Sequence, residues 1–310
     1  MRIVSLLASA TEIICALGAG ERLVGRSHEC DNPPWVRSLP ACSEPTLDIS
    51  QSSGEIDREV RRRIHSGEPL YRIHSDRIRV LAPDLIVAQS HCEVCAVTPG
   101  DVERNDCLGS ARVLALSAST VEEIFASVLD IARALDLEER GAAVAARERT
   151  RLDELRNRTC RLRRPSVVVL EWTDPIFPMS NWGPELVDAA NGELALGNRG
   201  QHSFAIASDQ VRAADPEFLI IAPCGFDLNR TMAELPVLER NSWWYELRAV
   251  REGKVIFADG NLFFNRSGMT VGRTAELLAE MLHGLVSGEV SQGRDWRWMR
   301  DVPAAGRAIA

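Results

Sequence analysis

No stretch of this 310-residue chain reaches the ~18 consecutive apolar residues that a membrane-crossing helix needs. Low-complexity runs are missing as well, and nothing resembles a phosphate-cradling glycine loop, a dinucleotide fingerprint or a Ser-His-Asp order. Those gaps remove the common nucleotide-binding and serine-hydrolase readings. Basic excess is lacking too. With 36 Lys and Arg against 44 Asp and Glu the formal net charge is −8, which argues against nucleic acid or an anionic membrane as the main partner. The short basic clusters, Arg61-Arg62-Arg63 and the run from Arg161 to Arg164, are flanked by acids and read as solvated helix ends. The apolar segment after Met1-Arg2 is too short for the core of a secretion signal, so it reads as a strand entering a helix, and a cytoplasmic location is expected.

What is present is globular in kind: 45% of residues are hydrophobic and 26% charged, and the length suits two ordinary domains. Short apolar runs recur, each leading through a loop into a helical pattern. Strands are expected at Ile3 to Leu7, Leu23 to Gly25, Leu85 to Ala88, Val113 to Leu116, Ser166 to Leu170, Phe218 to Ala222 and Val255 to Ala258. Thr11 is expected near the cap of the first helix. From Thr120 to about Arg158 an apolar stripe persists at helical spacing with few breakers, as one rigid connector or two abutting helices. The expected division is an N-terminal α/β lobe over residues 1–118, a linking helix over 119–164, a C-terminal α/β lobe over 165–288 and a loosely held tail over 289–310. Alternating strands and helices imply two Rossmann-like lobes with parallel sheets, joined by a long rigid helix, with a ligand cleft between the lobes.

Reactive residues fall where the strands should end. Cys30 follows the strand at Leu23 within Ser27-His28-Glu29-Cys30-Asp31. Cys92 and Cys95 follow the strand at Leu85, and Cys224 follows the one at Phe218. Eight cysteines in a reducing compartment favour thiols or metal ligands over disulfides. Cys30, Cys92, Cys95 and Cys224 are therefore candidate metal ligands. Four soft thiolates suit an iron–sulfur cluster, or zinc as the alternative; since only one Cys-x-x-Cys pair occurs, the cluster is preferred. Ordinary buried thiols would explain the same residues; Cys15, on an apolar helix face, and Cys160, before a basic run, are read as carrying no site role, and Cys42 and Cys107 stay undecided, with packing preferred. His28 and His91 are candidate metal ligands or orienting donors, against plain hydrogen-bonded loop histidines. With aromatics at only 5%, Trp172 and Trp182 around the end of the strand at Ser166 mark a place where a flat ligand could stack; core packing is the competing account and the preferred one for Trp243 and Trp244.

The opening Ile3-Val4-Ser5-Leu6-Leu7-Ala8-Ser9-Ala10-Thr11-Glu12-Ile13, the Pro83-Asp84-Leu85-Ile86 run and the later Asp215-Pro216-Glu217 resemble the class III ABC-transporter substrate-binding proteins, which carry cobalamin, haem or ferric siderophores. The likeness covers most of the chain, from Arg2 to Val286. Within that family the Cys30, Cys92–Cys95, Glu171-Trp172 and Pro223-Cys224-Gly225-Phe226 motifs resemble a cysteine-containing subgroup labelled cobalamin-binding. The chain has Asn265-Arg266-Ser267-Gly268 where that subgroup tends to have an Arg-Pro-Gly run. Ordinary transporter members carry a secretion signal and lack the cysteines, which puts an ABC permease partner in doubt.

The leading expectation is thus a cytoplasmic protein binding a metal or a corrinoid-like chelate, with a Cys-ligated metal or iron–sulfur site in the cleft. Trp172, Trp182, Glu171 and Arg266 are its expected ligand contacts. Two rivals stand beside it. One is an iron–sulfur enzyme with an open iron site, for which Glu171, Glu29 and His28 are the acid or base candidates. The other is an ABC-transporter substrate-binding protein whose signal has been removed.

Overall fold

The computed structural model describes residues 1–90, 94, 96–104, 109–288 and 290–302. Two compact units divide the chain. The first comprises Met1–Gln51, Glu55–Glu148 and Ser267–Met269; the second comprises Ser52–Gly54, Arg149–Arg266 and the residues from Thr270 on.

In the first unit the elements run β1 (Ile3–Ser5), α1 (Ala8–Ala16), β2 (Leu23–Arg26), β3 (Ser43–Pro45), α2 (Ser53–Ser66), β4 (Tyr71–Ile73), α3 (Ser75–Leu81), β5 (Leu85–Gln89), α4 (Pro99–Arg104), β6 (Arg112–Leu116) and α5 (Val121–Ala134). Four of the strands form an all-parallel sheet in the order β2-β1-β5-β6. The central strands β1 and β5 are buried throughout, as continuous apolar runs covered on both faces require. Strand β1 is only three residues long, so α1 starts sooner than expected, with Leu7 at its cap. Thr11 consequently lies inside the helix, and its hydroxyl turns back to within 2.8 Å of Ser5 Oγ. Antiparallel pairing of β3 with β4 sets Ser43 opposite Ile73 and Pro45 opposite Tyr71.

The long helical stretch is two helices, α5 and α6 (Glu138–Thr159). Thr120 and Glu123 close a reciprocal capping box at the start of α5. Between the helices Asp136 adopts a left-handed φ of 58°, which interrupts the ladder. Apolar periodicity carries straight across the break, because Val144 beyond it is buried in the same core as Val128 and Ile131 before it. Residues of α6 up to Glu148 belong to the first unit and those from Arg149 to the second.

The second unit continues with β7 (Ser166–Trp172), β8 (Phe177–Pro178), α7 (Gly183–Ala189), β9 (Glu193–Leu194), α8 (Ser208–Ala214), β10 (Phe218–Ile221), α9 (Leu228–Met232), α10 (Leu235–Glu239), α11 (Arg248–Arg251), β11 (Val255–Ala258), α12 (Val271–His283) and β12 (Trp296–Trp298). Its sheet is mixed rather than wholly parallel. Strands β9, β7, β10 and β11 are parallel, while β8 and β12 are added antiparallel. The C-terminal segment is held, not loose. Trp296 is 2% exposed, and the buried Glu280 of α12 accepts hydrogen bonds from the Ser291 backbone and the Trp296 indole. In each sheet the chain reverses its direction of winding beside one strand, β1 in the first and β7 in the second, and the carboxyl ends there are where such sheets place ligands.

Candidate functional site

At that reversal point of the second unit, β7 ends in Glu171-Trp172 and β10 runs out through Ala222-Pro223-Cys224. Backbone bonds from Ala222 N to Leu170 O and from Cys224 N to Glu171 O, each 2.9 Å, carry the pairing one step past the strand and fix Cys224 beside Glu171. Gly225 then turns the chain with φ 76°, a conformation that glycine adopts without steric cost. Phe226 is thereby brought against Trp172, with ring centroids 5.2 Å apart and the planes tilted by 55°. Asp227 caps α9 by accepting a hydrogen bond from Arg230 N, which places the Arg230 guanidinium 4.5 Å from the Phe226 ring centre.

Behind this surface lies the carboxylate of Glu234, only 1% exposed, which accepts hydrogen bonds from Thr173 and Ser53 and lies 3.8 Å from Arg230. A third loop completes the arrangement. Asn261 N donates to Phe226 O at 2.9 Å, and Asn265 Nδ2 donates to Ala222 O at 2.9 Å. A Cβ at Gly260 would lie 2.2 Å from Pro223 O, so only glycine allows the two loops to approach so closely.

The expected contacts separate accordingly. Glu171, Trp172 and Cys224 come together, with Trp172 half-buried and able to offer a ring face. Arg266 reaches the same loops but from within: it is 6% exposed and donates to Asn261 Oδ1 at 3.0 Å. Trp182 caps the start of α7 and is 7% exposed, and its indole N–H has no hydrogen-bond partner among the described residues. It takes no part in the Trp172 ring cluster. Sequence reasoning missed Arg230, whose signal was its position four residues after Phe226 in a helix opened by Asp227.

In the first unit the corresponding edge carries hydroxyls, a thiol and an imidazole. Ser27 N donates to Ser5 O at 2.8 Å, extending the β1–β2 pairing into the Ser27-His28-Glu29-Cys30 loop. Cys30 is 1% exposed and its sulfur lies 3.0 Å from Thr11 Oγ1. Burial pushes its thiol pKa up, against the opposing hydrogen bonds from Thr11 and Ser27, so the thiol stays protonated at neutral pH. Burial likewise raises Cys15 and Cys42 to about 11. His28 stands differently. Its Nδ1 is 3.0 Å from Ser43 Oγ, its ring centroid is 5.4 Å from that of Tyr71, and Nε2 is 3.9 Å from Glu29 Oε1. Burial first, then the Arg26 charge, lowers its pKa to about 4 against the pull of Glu44, so the ring is neutral at pH 7. A base with so low a pKa is a poor proton acceptor at that pH.

The four-thiolate centre finds no support here. Cys30 belongs to the first unit and Cys224 to the second. His91, Cys92, Cys95 and Cys107 lie outside the described residues. Among the described residues no group of three or more His, Cys, Asp or Glu side chains is placed to hold a metal ion, whether zinc or the iron of a cluster. Nor does any helix among them have the length and apolar character to cross a membrane.

Comparison with solved structures gives consistent likenesses. A periplasmic heme binding protein from Pseudomonas aeruginosa is 18% identical, with 92% of this chain and 94% of that one covered and a TM-score of 0.71. A periplasmic vitamin B12 binding protein of Vibrio cholerae is 20% identical over 90% of this chain and 95% of that one, with a TM-score of 0.64. An ABC transporter substrate-binding protein from Listeria monocytogenes is 17% identical over 91% and 98%, with a TM-score of 0.69. At these identities the likeness is one of fold. No curated protein matches the chain. The family model described as periplasmic binding protein matches residues 3–262, most of the chain, and the protein belongs to that family.

Proposed function

We propose that this is a substrate-binding protein for a planar metal chelate of the haem or cobalamin kind, carried on the Trp172, Phe226 and Arg230 surface of the second unit. The observation that carries the reading is the ring pair at 5.2 Å with a guanidinium at 4.5 Å from one ring. An aromatic surface favours a flat apolar ligand, and an adjacent cation favours the acidic groups at the rim of such a ligand. Family membership supports a binding role over a catalytic one, and the printed identities of the heme and vitamin B12 proteins support the ligand class. Delivery to an ABC permease belongs to this reading, so the doubt raised by the cysteines carries less weight than the family match. Glu171 and Cys224 border the surface and would contact the ligand's edge.

Titration of the purified protein with hemin, cyanocobalamin and a ferric siderophore, followed by tryptophan fluorescence, tests the proposal. Saturable quenching by one of them is expected. Trp172→Ala should weaken that ligand about tenfold, the equivalent of ~1.4 kcal/mol of stacking. No quenching by any of the three at micromolar concentrations would refute it. Iron and acid-labile sulfide analysis of anaerobically purified protein separates this reading from the cluster-bearing ones. Cell fractionation separates a role in delivery to a permease from one inside the cytoplasm.

A further inference from the structure

A carboxylate buried behind a binding surface still acts on what binds there, because a protein interior screens charge poorly. We propose that Glu234 sets the ligand selectivity of the Trp172, Phe226 and Arg230 surface. Its buried negative charge offsets the guanidinium, so the site discriminates less between chelates with an acidic rim and chelates with a neutral, amide-bearing one. The inference rests on the reading that this surface binds a planar chelate.

Burial, local wiring and the placement of Arg230 support it separately. Glu234 is 1% exposed, and taking a carboxylate out of water is costly unless hydrogen bonds and a cation offset it. Its Oε2 accepts hydrogen bonds from the Thr173 hydroxyl, at 2.6 Å, and from the Ser53 hydroxyl. Both donors belong to the same unit as Glu234, and both are buried. Being neutral, they orient the carboxylate without cancelling its charge. Thr173 follows Trp172 directly, so the carboxylate is anchored to the strand end that carries the stacking ring.

Glu234 stands immediately before α10, yet its side chain makes no capping hydrogen bond to that helix, so helix capping does not account for it. Its Oε1 lies 3.8 Å from the Arg230 guanidinium, beyond direct hydrogen-bond contact. The pair is a partial offset, not a closed bidentate salt bridge. Arg230 keeps 28% of its side chain exposed, and its guanidinium carbon is 4.5 Å from the centre of the Phe226 ring, which meets Trp172. One cation therefore serves both the proposed ligand surface and the buried carboxylate. An acidic rim group seated on Arg230 would lie roughly 8 Å from Glu234. At an effective dielectric of about 40, that repulsion weakens binding about sixfold. A neutral amide rim escapes it.

The test uses the full chain with hemin and hemin dimethyl ester, the same macrocycle with its carboxylates capped, and dicyanocobinamide as the amide-rimmed probe. Tryptophan quenching gives the Kd of each, and the quantity read is the ratio of ester to hemin. Glu234→Gln keeps the side-chain shape and one acceptor oxygen but removes the charge. It should raise that ratio about five- to tenfold in favour of hemin, and the gain should shrink in high salt. Dicyanocobinamide should follow the ester, not hemin. Arg230→Gln, at a residue that reaches solvent, gives a second reading should the buried substitution unfold the chain, and it should move the ratio the opposite way. If only corrinoids bind, the same ratio is taken between dicyanocobinamide and its monocarboxylate, made by hydrolysing one side-chain amide. A folded variant that shifts the acidic and neutral probes in parallel, or shifts neither, would overturn the assignment while leaving the binding function standing. A wild type that prefers hemin to its ester more than about a hundredfold would overturn it too, since no offset would then operate. Failure of the wild type to bind any of these macrocycles would remove this inference and the proposed function together.

Discussion

His28 and Cys30 share one loop, and burial acts on them in opposite chemical senses with the same outcome: each is kept uncharged. For the imidazole this has a thermodynamic consequence. His28 takes up its proton at 6.5 in the unfolded chain but only at about 4 when folded. Between those values the unfolded chain binds more protons, so this contribution is present above 6.5 and is lost as the pH falls towards 4. The shift corresponds to at most about 3 kcal/mol, lowered by the ring's partial exposure. Denaturant midpoints measured from about pH 7 down to pH 4 should therefore fall less steeply for His28→Gln than for the wild type; equal slopes would show that the ring is not held neutral by the fold. For the thiols, a brief alkylation of the native protein should mark the exposed Cys160 and spare the buried Cys30 and Cys42. Peptide mapping by mass spectrometry reads this directly, and early labelling of Cys30 would contradict its place in the Ser5–Thr11–Ser27 network.

At the scale of elements, the second-unit surface depends on two loops that touch backbone to backbone. Gly260 makes this possible, since a Cβ there would come within 2.2 Å of the Pro223 carbonyl and 2.5 Å of that of Ala222. Neither atom is the movable end of a side chain. Gly260→Ala should cost about 1–3 kcal/mol in chemical denaturation, and it should displace the Pro223-to-Phe226 turn enough to reduce ligand quenching of Trp172 fluorescence. An alanine variant with wild-type stability would mean that the loops separate at little cost. The helical region shows what periodicity can and cannot reveal. Its stripe from Ile124 to Leu155 was readable because those side chains enter cores, whereas the break at Asp136 depends on one backbone angle that leaves the stripe intact.

Across the whole molecule, the chain returns to its first unit at Ser267–Met269 after most of the second has been built. Gly268 there lies against α1, where a Cβ would be 2.9 Å from the Cβ of Ser9. A fragment ending at Glu148 lacks this packing, so its thermal transition should fall below that of the first unit in the full chain; a fragment melting at the same temperature would show that the returning segment adds nothing. The alternation of buried strands with helices, the α/β class and the location of reactive residues at strand ends were legible from the residues alone, because burial on both faces demands continuous apolar runs and polar groups collect where those runs stop. Family likeness was legible too, from short motifs at β1, β5 and β10. Three-dimensional placement was needed for the rest. It decided that Trp172 meets Phe226 and Arg230 while Trp182 does not join them, that Arg266 is drawn inward, that Trp296 pairs a strand onto β11, and that His28 is oriented by Ser43. Most of those depend on contacts between residues distant in sequence, whose partners are selected by sheet register and loop closure rather than by any local pattern.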